Sequence, residues 1–475
     1  MKGFLLALAL LSTPALAYNE AVHAMITGRA IRDETVLQPP SQADLDAFRV
    51  LFWQRAIEHA AFAHRYPDVE SFTAWEFKQF LMLDPAARVH GFDRTPDDAV
   101  PMPRGKLLQV ASRWPDDDER NRHRYLRDPR THEVVKAADG TPMPYDPATL
   151  DFGSLTGTSS QGHAHYALVD GPLSDDSDVL KKEPWRFAVP PTAHAYGVEF
   201  VQIYSDLAGL AAQSGLPSAR WLQATFAGAA FHHLEDMCNQ IHTVQVGIYD
   251  FFRDAFVQSK LRDLRTLGGL LGRRHSLEEI GIRLISNHHL LSEDYFAKHL
   301  AEVHLEEADQ PDPEIANAPD LARAIIERSS REAPEIYRLT YRFSAKTLHD
   351  GVSGHEYDGA NGDDPDAYVA HTEEARQAIQ QFDIIELRGV RRAVTAVRTW
   401  EQRFPGAPQD PVPQLLAYHE AAAKRRASYV PAGPKNFGVA WGYPTAAAAL
   451  VAALGVAVVA LVRRRQARMS PESSA

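Results

Sequence analysis

Apolar residues recur at helical spacing along most of the chain. In the first such segment, residues 41–64, the apolar positions that share one face are Leu45, Phe48, Phe52 and Ala56. Ser41 follows two prolines and precedes Asp44 by three residues, which predicts a capped N-terminus. The same spacing predicts helices over residues 71–83, 194–213, 220–238, 276–304 and 321–348. Strand-type alternation is nearly absent, so we expect an all-α fold.

The region between the early and late helices has a different composition. Residues 101–190 are richer in Pro, Asp and Gly, and we expect long ordered loops there, lying over a helical core. A polar stretch over residues 351–365 indicates a loop or linker, and residues 366–429 should add two or three helices. We therefore divide the chain into a main helical domain, 18–350, and a C-terminal helical extension, 351–429.

Residues 1–17 have the features of a secretory signal peptide. Lys2 supplies a positive charge, an apolar run follows, and Ala15-Leu16-Ala17 is a small-residue cleavage site. Cleavage there would make Tyr18 the first residue of the mature protein. An uncleaved anchor is the alternative, but the apolar run is short and the cleavage signal is good. We therefore expect the protein to be exported.

A second apolar segment covers residues 445–462, which carry no charge and consist mostly of Ala, Val and Leu. Aromatic residues precede it and an arginine cluster follows it, as at the two faces of a membrane. We expect a tether over residues 430–444, a transmembrane helix over 445–462 and a basic cytoplasmic tail over 463–475. The exported domain would then be periplasmic or extracellular and anchored to the membrane. A buried core helix and a sorting signal that is later cut are the alternatives.

The composition narrows the chemistry. A single Cys among 475 residues excludes a disulfide framework and a Cys-based zinc module. The 21 histidines make a metal site built from histidines and carboxylates worth seeking. The net charge of −12 argues against a large, non-specific nucleic-acid surface.

The strongest local signal lies between His232 and His242. His232 and Asp236 are four residues apart, so on a helix they share a face, and both are good zinc ligands. His242 would be rotated from His232 by about 80° on a continuous helix, which suits a second metal. His233 lies on the apolar line of the helix, and we expect it in the core. The alternative for His232 and Asp236 is an ordinary capping or solvated pair.

Four further groups favour a metal site. His23 follows Tyr18 by five residues, and cleavage would provide the α-amino group of Tyr18 as a nitrogen ligand. The other groups, in chain order, are Asp116 and Asp117, His163 and His165, and the pair His289 and Glu293. Other metal motifs fail, since the sequence has no His-Glu-x-x-His and only one Glu-x-x-His where a di-iron bundle needs two.

Taken in this order, the pattern resembles the zinc-dependent phospholipase C family. The same superfamily includes the single-strand-specific nucleases of fungi and plants. The resemblance spans residues 18–293, and its central part is the His-x-x-x-Asp-x-x-x-x-x-His spacing. The matching positions are Tyr18, His23, Asp116, His165, His232, Asp236, His242, His289 and Glu293. It implies a multi-helix phospholipase C-like catalytic domain over residues 18–350.

The resemblance also implies about three zinc ions per chain. Asp116, His165, His232 and Asp236 would hold one ion. The amine and carbonyl of Tyr18, His23 and a bridging Asp236 would hold another. His242, His289 and Glu293 would hold a third. In this family a hydroxide between two zinc ions attacks phosphorus and the third zinc stabilises the leaving alkoxide, which places Asp116 and Asp236 at the catalytic centre.

The chain departs from the family pattern in two places. Tyr18 replaces the usual Trp, and the stretch from His242 to His289 is long. Three pairs of alternatives therefore stay open: His275 and Glu279 for His289 and Glu293, His163 for His165, and Asp117 for Asp116.

We expect a membrane-anchored phosphodiesterase that hydrolyses phospholipid, because the predicted anchor would place the centre beside lipid. The low Cys count favours the phospholipase branch over the nuclease branch. A single-strand nuclease or 3'-nucleotidase with the same three zinc ions is the first alternative, and a non-catalytic, metal-stabilised surface protein is the second. The sequence implies no protein partner.

Overall fold

The computed structural model describes residues 20–80, 100–116, 196–243, 291–299, 315–344, 364–405 and 410–428, with scattered positions between 125 and 145. The α-helices of these regions are α1 (Glu20–Ala30), α2 (Gln42–Ile57), α3 (Ala60–Arg65), α4 (Val69–Phe72), α5 (Arg104–Ala111), α6 (Gly197–Gln213), α7 (Ala219–Cys238), α8 (291–299), α9 (Ala318–Phe343), α10 (Glu373–Arg403) and α11 (Val412–Ser428). A π-helical segment covers Thr73–Phe80, and 3-10 turns cover Trp114–Asp116, Gln240–His242 and Pro365–Tyr368.

Strand structure in these regions is minimal. Strands β1 (Val36–Leu37) and β2 (Met102–Pro103) pair in antiparallel fashion, with Val36 opposite Pro103. The all-α prediction is therefore confirmed.

Helix α2 begins where the sequence predicts, but it ends before the predicted position. The backbone N–H of Asp44 donates to Ser41 Oγ at 3.2 Å and that of Ser41 donates to Asp44 Oδ2 at 3.3 Å, which confirms the predicted cap. The prediction of one helix over residues 41–64 is wrong, because His59 is extended (φ −90°, ψ 121°) and separates α2 from α3. Apolar spacing continues across the break through Phe62, so periodicity does not reveal it.

Other helix bounds differ from the prediction in smaller ways. The helix predicted over residues 71–83 is a short α4 that continues as the π-helical segment. Helix α9 starts earlier than predicted because Asn317 caps it, accepting from the N–H of Asp320 at 2.8 Å. Of the helix predicted over 276–304, the structure describes 291–299. The extension contributes α10 and α11.

Helix α7 is the centre of the fold. From Ala224 to Cys238 its residues are buried on all sides, as expected of a helix that other helices surround, and it packs against α1, α5, α6, α9 and α10. The approach of α5 is closest at Gly228, where a Cβ atom would overlap the Cβ of Ala111 and lie 3.0 Å from the carbonyl oxygen of Leu108. Glycine at this position therefore sets the distance between α5 and α7.

Helix α10 belongs to the same core although it lies in the C-terminal extension. Its Trp400 is fully buried, donates from Nε1 to Ser205 Oγ at 2.8 Å and meets the ring of Phe231 edge-on at 5.0 Å. Arg398 donates to the carbonyl oxygens of Arg29 and Ala30 at the end of α1. Helix α1 is thus held between α5, α7 and α10.

Within the regions that the structure describes, no helix has both the length and the apolar character needed to cross a membrane. The predicted signal peptide, residues 1–17, and the predicted transmembrane segment, residues 445–462, lie outside those regions.

Candidate metal centre

Helix α7 carries three of the candidate site residues into the protein interior. His232, Glu235 and Asp236 lie in its last two turns and are fully buried. Helix α1 brings His23, also fully buried, against the same turns. Buried imidazole and carboxylate groups need charged or hydrogen-bonding partners, so the contacts between them define what the site can hold.

His23, His232 and Asp236 form a compact group of metal-ligating atoms. One ligand atom from each lies within 4.8 Å of the others, so the group could hold a metal ion. His232 Nε2 is 3.1 Å from Asp236 Oδ2, and His23 Nε2 is 3.6 Å from Asp236 Oδ1. The two imidazole rings stack with their centroids 4.1 Å apart. The carboxylate of Asp236 therefore offers one oxygen to each histidine.

The orientation of His232 is set by the backbone of the segment that follows α5. His232 Nδ1 lies 2.8 Å from the carbonyl oxygen of Ser112, and a carbonyl oxygen only accepts. Nδ1 must therefore carry the proton in this hydrogen bond. In the neutral imidazole, Nε2 then presents its lone pair towards Asp236, as a metal ligand requires.

The orientation of His23 is set by Glu235. Glu235 Oε2 is 2.6 Å from His23 Nδ1, and Glu235 Oε1 accepts from the hydroxyl of Thr27 at 2.7 Å. Burial raises the pKa of Glu235 well above its usual range, the Thr27 hydrogen bond lowers it, and the neighbouring Asp236 carboxylate raises it further. A nearby cation would favour the charged form that accepts both hydrogen bonds.

His242 extends the group beyond the end of α7. Its Nδ1 is 3.5 Å from Asp236 Oδ1, and its Nε2 is 3.0 Å from Glu293 Oε1 on α8. Asn239 Nδ2 also donates to Glu293 Oε1 at 3.0 Å. The helix ends at Cys238, as predicted, and His242 lies in the following 3-10 turn, so the rotation of about 80° for a continuous helix does not apply to it. This turn carries His242 back towards Asp236.

Donor spacing provides a test of whether these residues suit a metal. Two ligands about 2.0–2.1 Å from a tetrahedral zinc ion lie about 3.3 Å apart. The distances from Asp236 to the histidine nitrogens of this group, 3.1 Å for His232 and 3.6 Å for His23, bracket that value. Imidazole nitrogen and carboxylate oxygen are also the donor types that zinc uses in sites without Cys. The described residues therefore fit zinc in chemistry and in spacing.

A second acidic group lies next to Glu293. Glu386 on α10 is buried, and desolvation together with the nearby Glu293 and Glu332 carboxylates raises its pKa to about 8. Arg392 opposes this rise and pairs with Glu332 at 2.8 Å. A buried acidic side chain that keeps its proton at neutral pH thus lies beside the candidate ligand Glu293.

His233 occupies the core rather than the centre, as its apolar position in the sequence predicts. Its ring stacks on Tyr204 with 5.4 Å between centroids, and Nδ1 is 4.0 Å from Asp236 Oδ2. Cys238 is likewise buried, and burial raises the pKa of its thiol.

The structure brings together five of the nine predicted ligands: His23, His232, Asp236, His242 and Glu293. The backbone of Asp116 lies in the 3-10 turn that contacts α7, and its side chain is outside the described atoms. Also outside the described residues are Tyr18, His165 and His289 and the alternatives Asp117, His163, His275 and Glu279.

Sequence reasoning missed the groups that orient the ligands. Glu235 is visible in the sequence as a second acidic residue beside Asp236, but its partners His23 and Thr27 lie more than 200 residues away. The Ser112 carbonyl carries no side-chain signal at all.

No protein-family model, curated protein or solved structure matches the chain. The functional interpretation therefore rests on the site and on the pattern of its residues.

Proposed function

We propose that the protein is an exported zinc-dependent phosphodiesterase of the phospholipase C type, anchored beside a membrane and acting on phospholipid. The observation that carries the proposal is the shared carboxylate of Asp236. One of its oxygens faces His232, and the other faces His23 and His242. A carboxylate in this position can join neighbouring metal ions, as the resemblance to the zinc-dependent phospholipases implies.

Charge supports metal binding at this site. Asp236, Glu235 and Glu293 are carboxylates with at most 4% of their surface exposed. Ionised carboxylates so deeply buried are costly unless cations or hydrogen-bond donors compensate them. Zinc ions supply that compensation, and three histidines with oriented or carboxylate-facing nitrogens surround the same carboxylates.

In this proposal, His23, His232 and Asp236 hold two of the zinc ions, together with Tyr18, Asp116 and His165. His242 and Glu293 hold the third, together with His289. Bound zinc supplies Lewis-acid activation of water and of the phosphoryl group. The carboxyl groups of Asp236 and Glu293 are buried in the protein interior, where the low dielectric constant strengthens electrostatic interactions. Glu235 and the Ser112 carbonyl keep the histidine rings in the orientation that ligation needs.

The predicted ends of the chain favour phospholipid as the substrate. A signal peptide at 1–17 and an anchor at 445–462 would hold the centre close to a bilayer. The net charge of −12 favours phospholipid over polynucleotide.

The test uses protein processed at Tyr18. We expect about three zinc ions per chain by elemental analysis and release of phosphocholine from phosphatidylcholine vesicles. Chelation should abolish the release and added zinc should restore it. The variant His232→Gln should lose zinc and activity, whereas His64→Gln, which changes an exposed histidine, should lose neither.

Three other outcomes would favour a different function or overturn the proposal. Zinc-dependent cleavage of single-stranded DNA without phospholipid hydrolysis would favour the nuclease alternative. Bound zinc with no hydrolysis of either substrate would favour the metal-stabilised surface protein. Absence of zinc from correctly processed protein would overturn the proposal.

A further inference from the structure

We infer that Glu235 is a positioning residue for the metal centre: together with Thr27 it fixes His23 so that Nε2 faces Asp236, and it strengthens the binding of the zinc ion that His23 holds. This inference rests on the proposed zinc centre and goes beyond it, because Glu235 is not among the ligands that the resemblance implies.

The geometry assigns Glu235 to orientation rather than to ligation. Both of its oxygens are engaged by α1, Oε2 with His23 Nδ1 at 2.6 Å and Oε1 with the Thr27 hydroxyl at 2.7 Å. His23 and Thr27 are four residues apart and therefore lie on one face of α1. The carboxylate thus holds two successive turns of that face against α7.

Ligation by Nε2 requires that this nitrogen carry no proton. In a neutral ring Nδ1 then carries the proton and donates it to Glu235, which gives the carboxylate–histidine–metal arrangement that raises the basicity of the ligand nitrogen. The distance of 2.6 Å between His23 Nδ1 and Glu235 Oε2 is that of a close hydrogen bond. Removing such a partner typically weakens metal binding by about 10–100-fold.

His232 provides an internal comparison. Its Nδ1 is held by the neutral carbonyl oxygen of Ser112 at 2.8 Å, whereas that of His23 is held by a carboxylate. Both histidines therefore direct Nε2 towards Asp236, but their Nδ1 atoms have different hydrogen-bond partners. Replacing Glu235 by glutamine should lower the affinity for the zinc ion that His23 holds and affect the affinity for the zinc ion of His232 less.

The decisive variant is Glu235→Gln, which keeps the size of the side chain and an oxygen that can accept from His23. We expect one zinc equivalent to bind about 10–100-fold more weakly in chelator competition, with the remaining equivalents retained. In cobalt-substituted protein the visible spectrum of one site should change. The melting temperature of the metal-free protein should not fall, because glutamine has nearly the size of glutamate and leaves no cavity.

Two further variants separate positioning from simple packing. Thr27→Val removes one hydrogen bond to Glu235 and should weaken the same zinc equivalent, by less than Glu235→Gln does. Asp206→Asn also neutralises a buried carboxylate, but Asp206 accepts from Gln202 on its own helix α6, so zinc binding should be unchanged.

Unchanged zinc affinity and an unchanged cobalt spectrum in Glu235→Gln, beside a wild-type protein that binds zinc, would overturn this inference alone. A lower melting temperature of metal-free Glu235→Gln with normal zinc affinity would assign Glu235 to packing and also overturn it. A wild-type protein that binds no zinc would overturn both this inference and the proposed function.

Discussion

His232 Nε2 lies 3.1 Å from Asp236 Oδ2, one helical turn further along α7, and both side chains are fully buried. An isolated pair of this kind on a surface helix would contribute little, because solvent screens it. Inside the core, three other elements bring candidate ligands to the same pair. Helix α1 contributes His23, the 3-10 turn contributes His242 and α8 contributes Glu293.

The first prediction concerns the bridging carboxylate. Asp236→Asn should remove two zinc ions from the purified protein rather than one, because the amide nitrogen cannot act as a second anionic donor. Elemental analysis per chain measures the loss, and Asp206→Asn serves as the matched control with unchanged zinc. Loss of a single zinc from Asp236→Asn would argue against a shared ligand.

The second prediction concerns the first residue of the mature chain. Protein made with one extra residue before Tyr18 should lose a zinc equivalent and most of its activity, since the α-amino group would move away from His23. The control is the same protein after a protease has removed the added residue. Full metal content and activity in the extended form would exclude Tyr18 as an N-terminal ligand.

The third prediction concerns the contact between α5 and α7. Gly228→Ala should lower the free energy of unfolding by about 1–3 kcal/mol, because the new methyl group overlaps Ala111 and meets backbone atoms that cannot yield cheaply. Zinc affinity should fall as well, because a shift of α5 moves the Ser112 carbonyl away from His232.

Gly28→Ala is the control for this experiment. Its added methyl group meets the flexible end of the Gln109 side chain at 2.9 Å, and alanine is the better helix former. Its stability should stay within about 1 kcal/mol of wild type in chemical denaturation. Equal effects of the two substitutions would contradict the close-approach argument.

The fourth prediction concerns pH. Burial raises the pKa of Asp206 from 3.8 to about 7, so the folded state keeps a proton that the unfolded state releases. Because the pKa of Asp206 is higher in the folded than in the unfolded state, its contribution to stability is fully present below about pH 4 and is lost as the pH rises towards 7. Asp206→Asn removes this loss and should be stabilising at pH 8, by up to about 4 kcal/mol.

Denaturant titrations of wild type and Asp206→Asn at pH 5 and pH 8 measure this effect. The stability difference between the two proteins should widen with pH. A difference that stays constant would mean that Asp206 is ionised in the folded protein at both pH values.

The fold was largely predictable from periodicity where a helix is continuous and buried. Helix α7 was predicted over residues 220–238 and covers Ala219–Cys238. The break at His59 was not predictable, because the apolar spacing continues through Phe62 while the backbone does not. The spacing of apolar residues indicates which face of a helix is buried. The position at which the helix breaks depends on tertiary packing.

The site was predictable in part. Spacing alone paired His232 with Asp236, and the order of the family motif added His23, His242 and Glu293. Glu235 and the Ser112 carbonyl were not predictable, because orienting groups depend on which distant backbone or helix face arrives beside them. The position of His242 depended on the 3-10 turn that follows α7, which helical spacing does not describe.

The contact of Arg398 with the end of α1 links the first described helix to one more than 360 residues later. A contact between residues so far apart in the sequence closes a long loop, which costs chain entropy. The C-terminal end of α1, the helix that carries His23, therefore gains these contacts only when α10 has been synthesised. A chain that ends before α10 lacks both hydrogen bonds.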